Sequence, residues 1–142
     1  MDEHTSLLER YKAQLLKSLQ HLEYSFKKVS YLDPVSEMSS EQELESWESF
    51  SSRFARSSDL YISKVLRKLI LEKDPAFRGS VIDLLHEAEK FHWISSANSW
   101  RRIRQLRNVA AHEYAIDDLS ALYQELLQLT PILLEAKNVA KS

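Results

Sequence analysis

Glycine occurs once in 142 residues, at Gly79, and cysteine does not occur at all. Average usage would place roughly ten glycines in a chain of this length. Glycine supplies the positive-φ positions of tight hairpins and the close backbone approach of phosphate-binding loops. With a single glycine, a P-loop or a dinucleotide fingerprint cannot be written, because each needs at least two. A sheet built on Asn-Gly or Gly-X hairpins is nearly as hard to assemble. Any chemistry must therefore come from side chains rather than from a glycine-rich cradle. The lack of cysteine excludes a disulfide scaffold and every thiolate metal site. It fits a reducing compartment, and a cytoplasmic location is the expectation. No apolar run approaches the ~20 residues of a membrane span. The start, Met1-Asp2-Glu3-His4, is too acidic and polar for a secretory signal, so no membrane partner is expected.

What is present describes a globular chain. Hydrophobic residues make up 44% and charged residues 28%, ordinary values for a packed protein rather than a disordered one. The length suits one domain, residues 1–142, large enough to bury a core. Nineteen basic residues against 21 acidic ones leave a net charge of −2. The molecule as a whole is therefore no electrostatic glove for nucleic acid, and any such contact must be a local patch.

Periodicity predicts helices throughout. From Ser6 to Val29, the residues Leu8, Tyr11, Leu15, Leu19, Leu22, Phe26 and Val29 step by three or four along one apolar stripe. Asp33-Pro34 interrupts the pattern. Ser40 and Glu43 then stand in capping-box spacing, and Leu44, Trp47, Phe54, Tyr61, Val65 and Leu69 sustain an unusually long second helix to about Lys73. After Asp74-Pro75 and Gly79, Ser80 and Asp83 open a third helix with Val81, Leu84, Leu85, Ala88 and Phe91 on its buried side. A polar seam, Ser95 to Ser99, leads into a fourth helix from about Ser99 to His112; the third and fourth are either separate or one bent rod. Asp117 is the expected N-cap of the last helix, whose stripe is Leu119, Leu122, Leu126, Leu129 and Leu133, with a kink expected at Pro131. Long amphipathic helices joined by short loops predict an all-α, antiparallel up-and-down bundle of four to five helices.

The fourth helix carries the unusual chemistry. At ~100° per residue, Trp100, Ile103, Leu106, Ala110 and Ala111 share one arc. Arg101, Arg104, Gln105, Asn108 and His112 lie opposite. Arg107 breaks the pattern by falling in the apolar arc, where an unpaired guanidinium costs several kcal/mol. One explanation is an internal salt bridge to Asp59, Asp83 or Glu87. The other is functional. Arg101, Arg102, Arg104 and Arg107 crowd one helix of an otherwise acidic chain, and His112 and Tyr114 close it. Cations beside a histidine that titrates near neutral pH suit a phosphodiester site. His112 in the last turn can equally serve as a cap for the helix carbonyls.

Weaker candidates are soon exhausted. Glu89 and His92 have the Glu-x-x-His spacing of carboxylate-bridged di-iron bundles, but those need two such pairs and two further glutamates. No metal site is expected. Trp47, Trp93 and Trp100 could stack bases, though their helical positions favour core or interface anchoring.

The run Arg107-Asn108-Val109-Ala110-Ala111-His112-Glu113-Tyr114 resembles the R-x4-H-x-Y signature of the HEPN superfamily, and is most similar to the HepT-type proteins. The likeness extends over Trp93 to Tyr114 and to the helical architecture. It implies a metal-independent endoribonuclease toxin with Arg107 and His112 catalytic, Asn108 and Arg104 supporting, and no cofactor. It also implies a homodimer, because Arg107 and His112 sit ~140° apart on an ideal helix and two copies of the motif would have to share one cleft. In the same resemblance Tyr114 is the acceptor of AMP from a cognate minimal nucleotidyltransferase, the antitoxin. The alternative it allows is a non-catalytic substrate- or nucleotide-binding subunit of a two-component nucleotidyltransferase.

Overall fold

Five helical rods and no strand make up the described part of the chain. The computed structural model describes residues 6–112 and 118–142. Helix α1 (Leu7–Val29) starts at Ser6, whose hydroxyl accepts the N–H of Glu9 at 3.1 Å. Helix α2 (Glu41–Asp59) opens with the expected capping box: the Ser40 hydroxyl accepts from Glu43 N–H at 3.1 Å, and the Glu43 carboxylate accepts from Ser40 N–H at 2.8 Å. The second rod then continues without a break through a π-helical segment, Leu60–Leu66, into α3 (Arg67–Lys73). Helix α4 (Val81–Lys90) repeats the capping box with Ser80 and Asp83. Helix α5 (Ala97–Ala110) starts at Ser96, and α6 (Leu119–Leu134) is followed closely by α7 (Ala136–Ala140).

The core lies where the amphipathic stripes meet. Leu15, Leu19 and Leu22 from α1 pack against Trp47, Phe50 and Phe54 of α2. Trp100, Ile103 and Leu106 of α5 and Leu122, Tyr123 and Leu126 of α6 complete it. Trp47 stacks on Tyr123 with ring centroids 5.2 Å apart, and Tyr61 meets Trp100 at 5.0 Å. Burying each such side chain stabilises the fold by roughly 1.5–3 kcal/mol, with aromatic pairing adding about 0.5–1.5 kcal/mol.

Several boundaries differ from the periodicity, each for a local reason. Helices α4 and α5 are separate, not one bent rod. His92 takes φ 61°, and N–H groups of His92 and Trp93 donate to the carbonyls of Glu89 and Ala88 at 3.0 and 2.9 Å. This left-handed Schellman closure stops the helix. Helix α5 begins two residues before Ser99 because the Ser96 hydroxyl accepts the N–H of Ser99 at 3.2 Å. It ends at Ala110, so Ala111 is exposed rather than part of the buried arc. The N-cap of α6 is Asp118, whose carboxylate accepts from Ala121 N–H at 3.0 Å; Asp117 lies outside the described residues. Helix α6 runs on past Pro131 to Leu134 before the chain turns at Glu135.

The lone glycine is needed for space, not for conformation. Gly79 has no positive φ. A β-carbon there would lie 2.6 Å from Cζ of Phe77 and 2.7 Å from Cβ of Asp83, inside the α4 capping box. The one positive-φ position among the described non-glycine residues falls instead to His92.

Candidate functional site

The α2–π–α3 rod and α5 lie side by side, and an open groove of about 810 Å³ runs between them. Ser58, Asp59, Ser63 and Lys64 line it from the rod, with Arg56 beside them; Arg104, Arg107 and Asn108 line it from α5. Four cationic side chains thus face one carboxylate in a protein whose overall charge is −2. Ile62 also lines the groove, and Tyr61, Val65 and Leu66 of the π segment are buried.

The rod winds differently where it forms the groove. Ser57/Ser58, Tyr61/Ile62 and Val65/Leu66 are buried as pairs that recur every four residues. A 3.6-residue helix would rotate that stripe away from the core, whereas the wider i→i+5 winding keeps it facing inward. π turns inside α-helices are frequent at functional sites. Here the segment begins immediately after Asp59.

Asp59 is the partner of Arg107. The guanidinium Nε donates to Oδ1 at 2.8 Å and an Nη to Oδ2 at 2.9 Å, a two-point pairing between residues 48 apart in the chain. The hydrogen bonds to Asp59 push the Arg107 pKa above its ordinary value, so the side chain is a fixed positive charge. Arg107 is half-buried, with 32% of its side chain exposed, rather than enclosed in the core as its helical position implied. Helical arithmetic placed its Cα on the apolar arc, but its long stem carries the head to the groove, the snorkelling behaviour of arginine. The other two carboxylates considered for it have different work: Asp83 caps α4, and Glu87 pairs with Lys90 at 3.0 Å.

The candidate residues are therefore only partly assembled. Arg104, Arg107 and Asn108 share the groove. His112 does not line it: it sits exposed in the turn after α5, where its N–H donates to the carbonyl of Val109 at 3.0 Å. Tyr114 lies outside the described residues. Of the remaining arginines in α5, Arg102 is committed to α6 through a two-point pairing with Glu125, its Nε at 2.7 Å from Oε2, which raises its pKa. Arg101 and Arg104 have no carboxylate partner among the described residues.

Arg56, Lys64, Ser58 and Ser63 were not anticipated from the sequence. They come from the long second rod, and nothing in their local pattern marks them as facing α5. The strict four-residue step through Tyr61 and Val65 was the available signal for the π winding.

The weaker candidates have structural roles. Trp47 and Trp100 are fully buried, and Trp93 stacks on Phe91 at 4.7 Å. The Glu89 carboxylate accepts the N–H of Ala97 at 3.1 Å and caps α5, while His92 closes α4. Among the described residues no group of three or more His, Asp or Glu is arranged to hold a metal ion, and no helix is long and apolar enough to cross a membrane.

Fold and site together define an all-α up-and-down bundle with a cation-lined groove between its second rod and α5. No protein-family model matches the chain, and no match was found among curated proteins. Function must accordingly be argued from the groove, since a helical bundle hosts many activities.

Proposed function

We propose that this chain is a metal-independent endoribonuclease of the HEPN type, active as a homodimer and silenced when a cognate minimal nucleotidyltransferase attaches AMP to Tyr114. The observation that carries this is the concentration of Arg56 and Lys64 from the second rod and Arg104 and Arg107 from α5 around one groove, beside the helix that leads into the Arg107–His112 motif. In this scheme His112 takes the proton of a ribose 2′-hydroxyl while the 2′-oxygen attacks phosphorus. The 5′-oxygen leaves with a proton from a second histidine, and a cyclic phosphate remains. Arg107 neutralises the charge that builds on the phosphorane oxygens. The pairing with Asp59 uses Nε and one Nη of Arg107, leaving the other edge of the guanidinium to face a phosphate. The two histidines come from two protomers, which is why one copy leaves His112 outside its own groove. AMP on Tyr114, two residues from His112, would place a bulky anion where it competes with the substrate.

Wild type freed of any AMP should cut RNA in the presence of EDTA. Arg107→Ala and His112→Ala should each reduce cleavage by at least ~10²-fold, with unchanged circular dichroism and elution volume. If wild type leaves RNA intact, the nuclease assignment is wrong. For the tyrosine, intact mass after incubation with the partner and ATP should rise by an adenylyl group in wild type and not in Tyr114→Phe; an equal rise in both excludes Tyr114 as acceptor.

A second function is favoured by a specific feature: Asp59 already occupies two donors of Arg107, and His112 stands apart from the groove. A binding subunit that presents substrate or nucleotide to a partner nucleotidyltransferase needs only the cations. Its signature would be wild type that binds RNA or nucleotide tightly and cuts neither.

A further inference from the structure

The groove holds three cations besides Arg107. Arg56 and Lys64 stand eight residues apart on the rod, at most ~12 Å at the α-helical rise of 1.5 Å per residue, and Arg104 faces them from α5. Phosphates of one stacked strand recur every ~3.4 Å along the axis, so this span covers on the order of three of them. The space, about 810 Å³, suits a few nucleotides of one strand. The hydroxyl of Ser63 and the amide of Asn108, both exposed on the walls, add neutral donors of the kind that contact phosphate oxygens. Arg107 adds little net charge, because Asp59 offsets it at 2.8 and 2.9 Å.

From this placement we infer that Arg56, Lys64 and Arg104 form a backbone-binding track for single-stranded nucleic acid, distinct from the Arg107–His112 pair, which holds the strand on either side of the point of cleavage. That the strand is RNA rests on the nuclease proposal; that a single strand binds here does not. The track reads no bases, since its cations and hydroxyls address phosphates, so it supplies affinity and register rather than sequence preference. Arg56 and Lys64 are exposed, and removing their charge leaves the core untouched. The Lys64 ammonium also lies 5.8 Å from the ring of Tyr11, an exposed cation–π contact that Lys64→Gln gives up at a cost of about 0.5–1 kcal/mol, so the double variant's fold is checked by circular dichroism.

The test uses the full chain and a fluorescent 12-nucleotide single strand of DNA, which lacks the 2′-hydroxyl and cannot be cut by this chemistry. Three phosphate contacts at about −0.7 each predict a log–log salt slope near −2, an affinity loss of about twentyfold between 50 and 200 mM salt. In the Arg56→Gln/Lys64→Gln double variant the slope should flatten to about −0.7 and the loss shrink to about threefold. The same sequence as a duplex, and a poly-glutamate peptide of equal charge, should bind at least tenfold more weakly than the single strand. An unchanged slope in the double variant overturns the track, as does duplex or peptide binding equal to that of the single strand. If wild type shows the predicted slope but cuts no RNA, the track stands and the nuclease proposal falls. If it cuts RNA with wild-type KM after both substitutions, the reverse holds.

Discussion

At the scale of single residues, α2 carries two adjacent serines with opposite status, of which Ser58 lines the groove. Ser57 and Ser18 share a buried hydrogen bond at 2.7 Å between α2 and α1. Ser58 is equally buried, yet its hydroxyl has no partner among the described residues. Removing one partner of a satisfied pair strands the other, at about 1–3 kcal/mol, whereas deleting an unsatisfied hydroxyl removes only its own desolvation cost. Ser57→Ala should therefore destabilise by about 1–3 kcal/mol and Ser58→Ala should be neutral or stabilising, as read from urea midpoints. Equal losses at both positions would show that Ser58 has a hidden partner. Tyr61 supplies a pH dependence. Its hydroxyl donates to the carbonyl of Trp93, and burial, with a lesser contribution from Glu135, pushes its pKa well above the ordinary phenol value. A raised folded-state pKa favours the protonated form, so this stability is complete below the unfolded value of ~10 and is lost as pH rises past it. Tyr61→Phe should flatten the decline in stability above about pH 10; a decline as steep as in wild type would place its origin elsewhere.

At the scale of elements, the scarcity of glycine is met by two opposite solutions. Gly79 is used where a β-carbon would collide with Phe77 and Asp83, although its backbone is one any residue could adopt. His92 is used where the backbone is left-handed, at φ 61°, a conformation that costs a residue with a β-carbon about 1 kcal/mol. His92→Gly should raise the melting temperature by about 2–3 °C in a protein of this size, since 1 kcal/mol shifts Tm by about 2–4 °C. Gly79→Ala should lower it by several degrees, the overpacking cost being about 1–3 kcal/mol. Calorimetry checks both; a neutral Gly79→Ala would mean that Phe77 swings aside without loss. Helix starts were the most legible feature of these elements. Ser6, Ser40 and Ser80 cap where the sequence pattern put them, because a cap bond spans only three residues. Helix ends were less legible: the turn after α4 has no glycine to announce it.

At the scale of the whole molecule, the all-α architecture agrees with the amphipathic stripes and with the near absence of glycine. The site is a different matter. One protomer gathers Arg104, Arg107 and Asn108 in a groove and leaves His112 outside it, so the proposed chemistry requires a second copy. Mixing wild type with inactive His112→Ala, after mild dissociation and reassembly, should give mixed dimers that cleave as poorly as the variant, because one histidine cannot serve as both base and acid in the same turnover. Mixed dimers that keep half of the wild-type rate, with exchange of subunits verified by mass, would confine the chemistry to a single chain and remove the reason for the dimer.

The sequence by itself determined the helices, most of their starts and much of the core, because periodicity and capping act over three or four residues and need no knowledge of what lies across the molecule; Phe91, expected on the buried side of α4, is 40% exposed. It also marked Arg107 as a charge in need of a partner. Only the tertiary structure decided that the partner is Asp59, 48 residues away, and that Arg56 and Lys64 stand across from Arg104. Those pairings depend on how two rods are rotated against each other. A hydrogen bond between distant residues carries no local signature; it exists because packing of the apolar stripes brings the polar edges together.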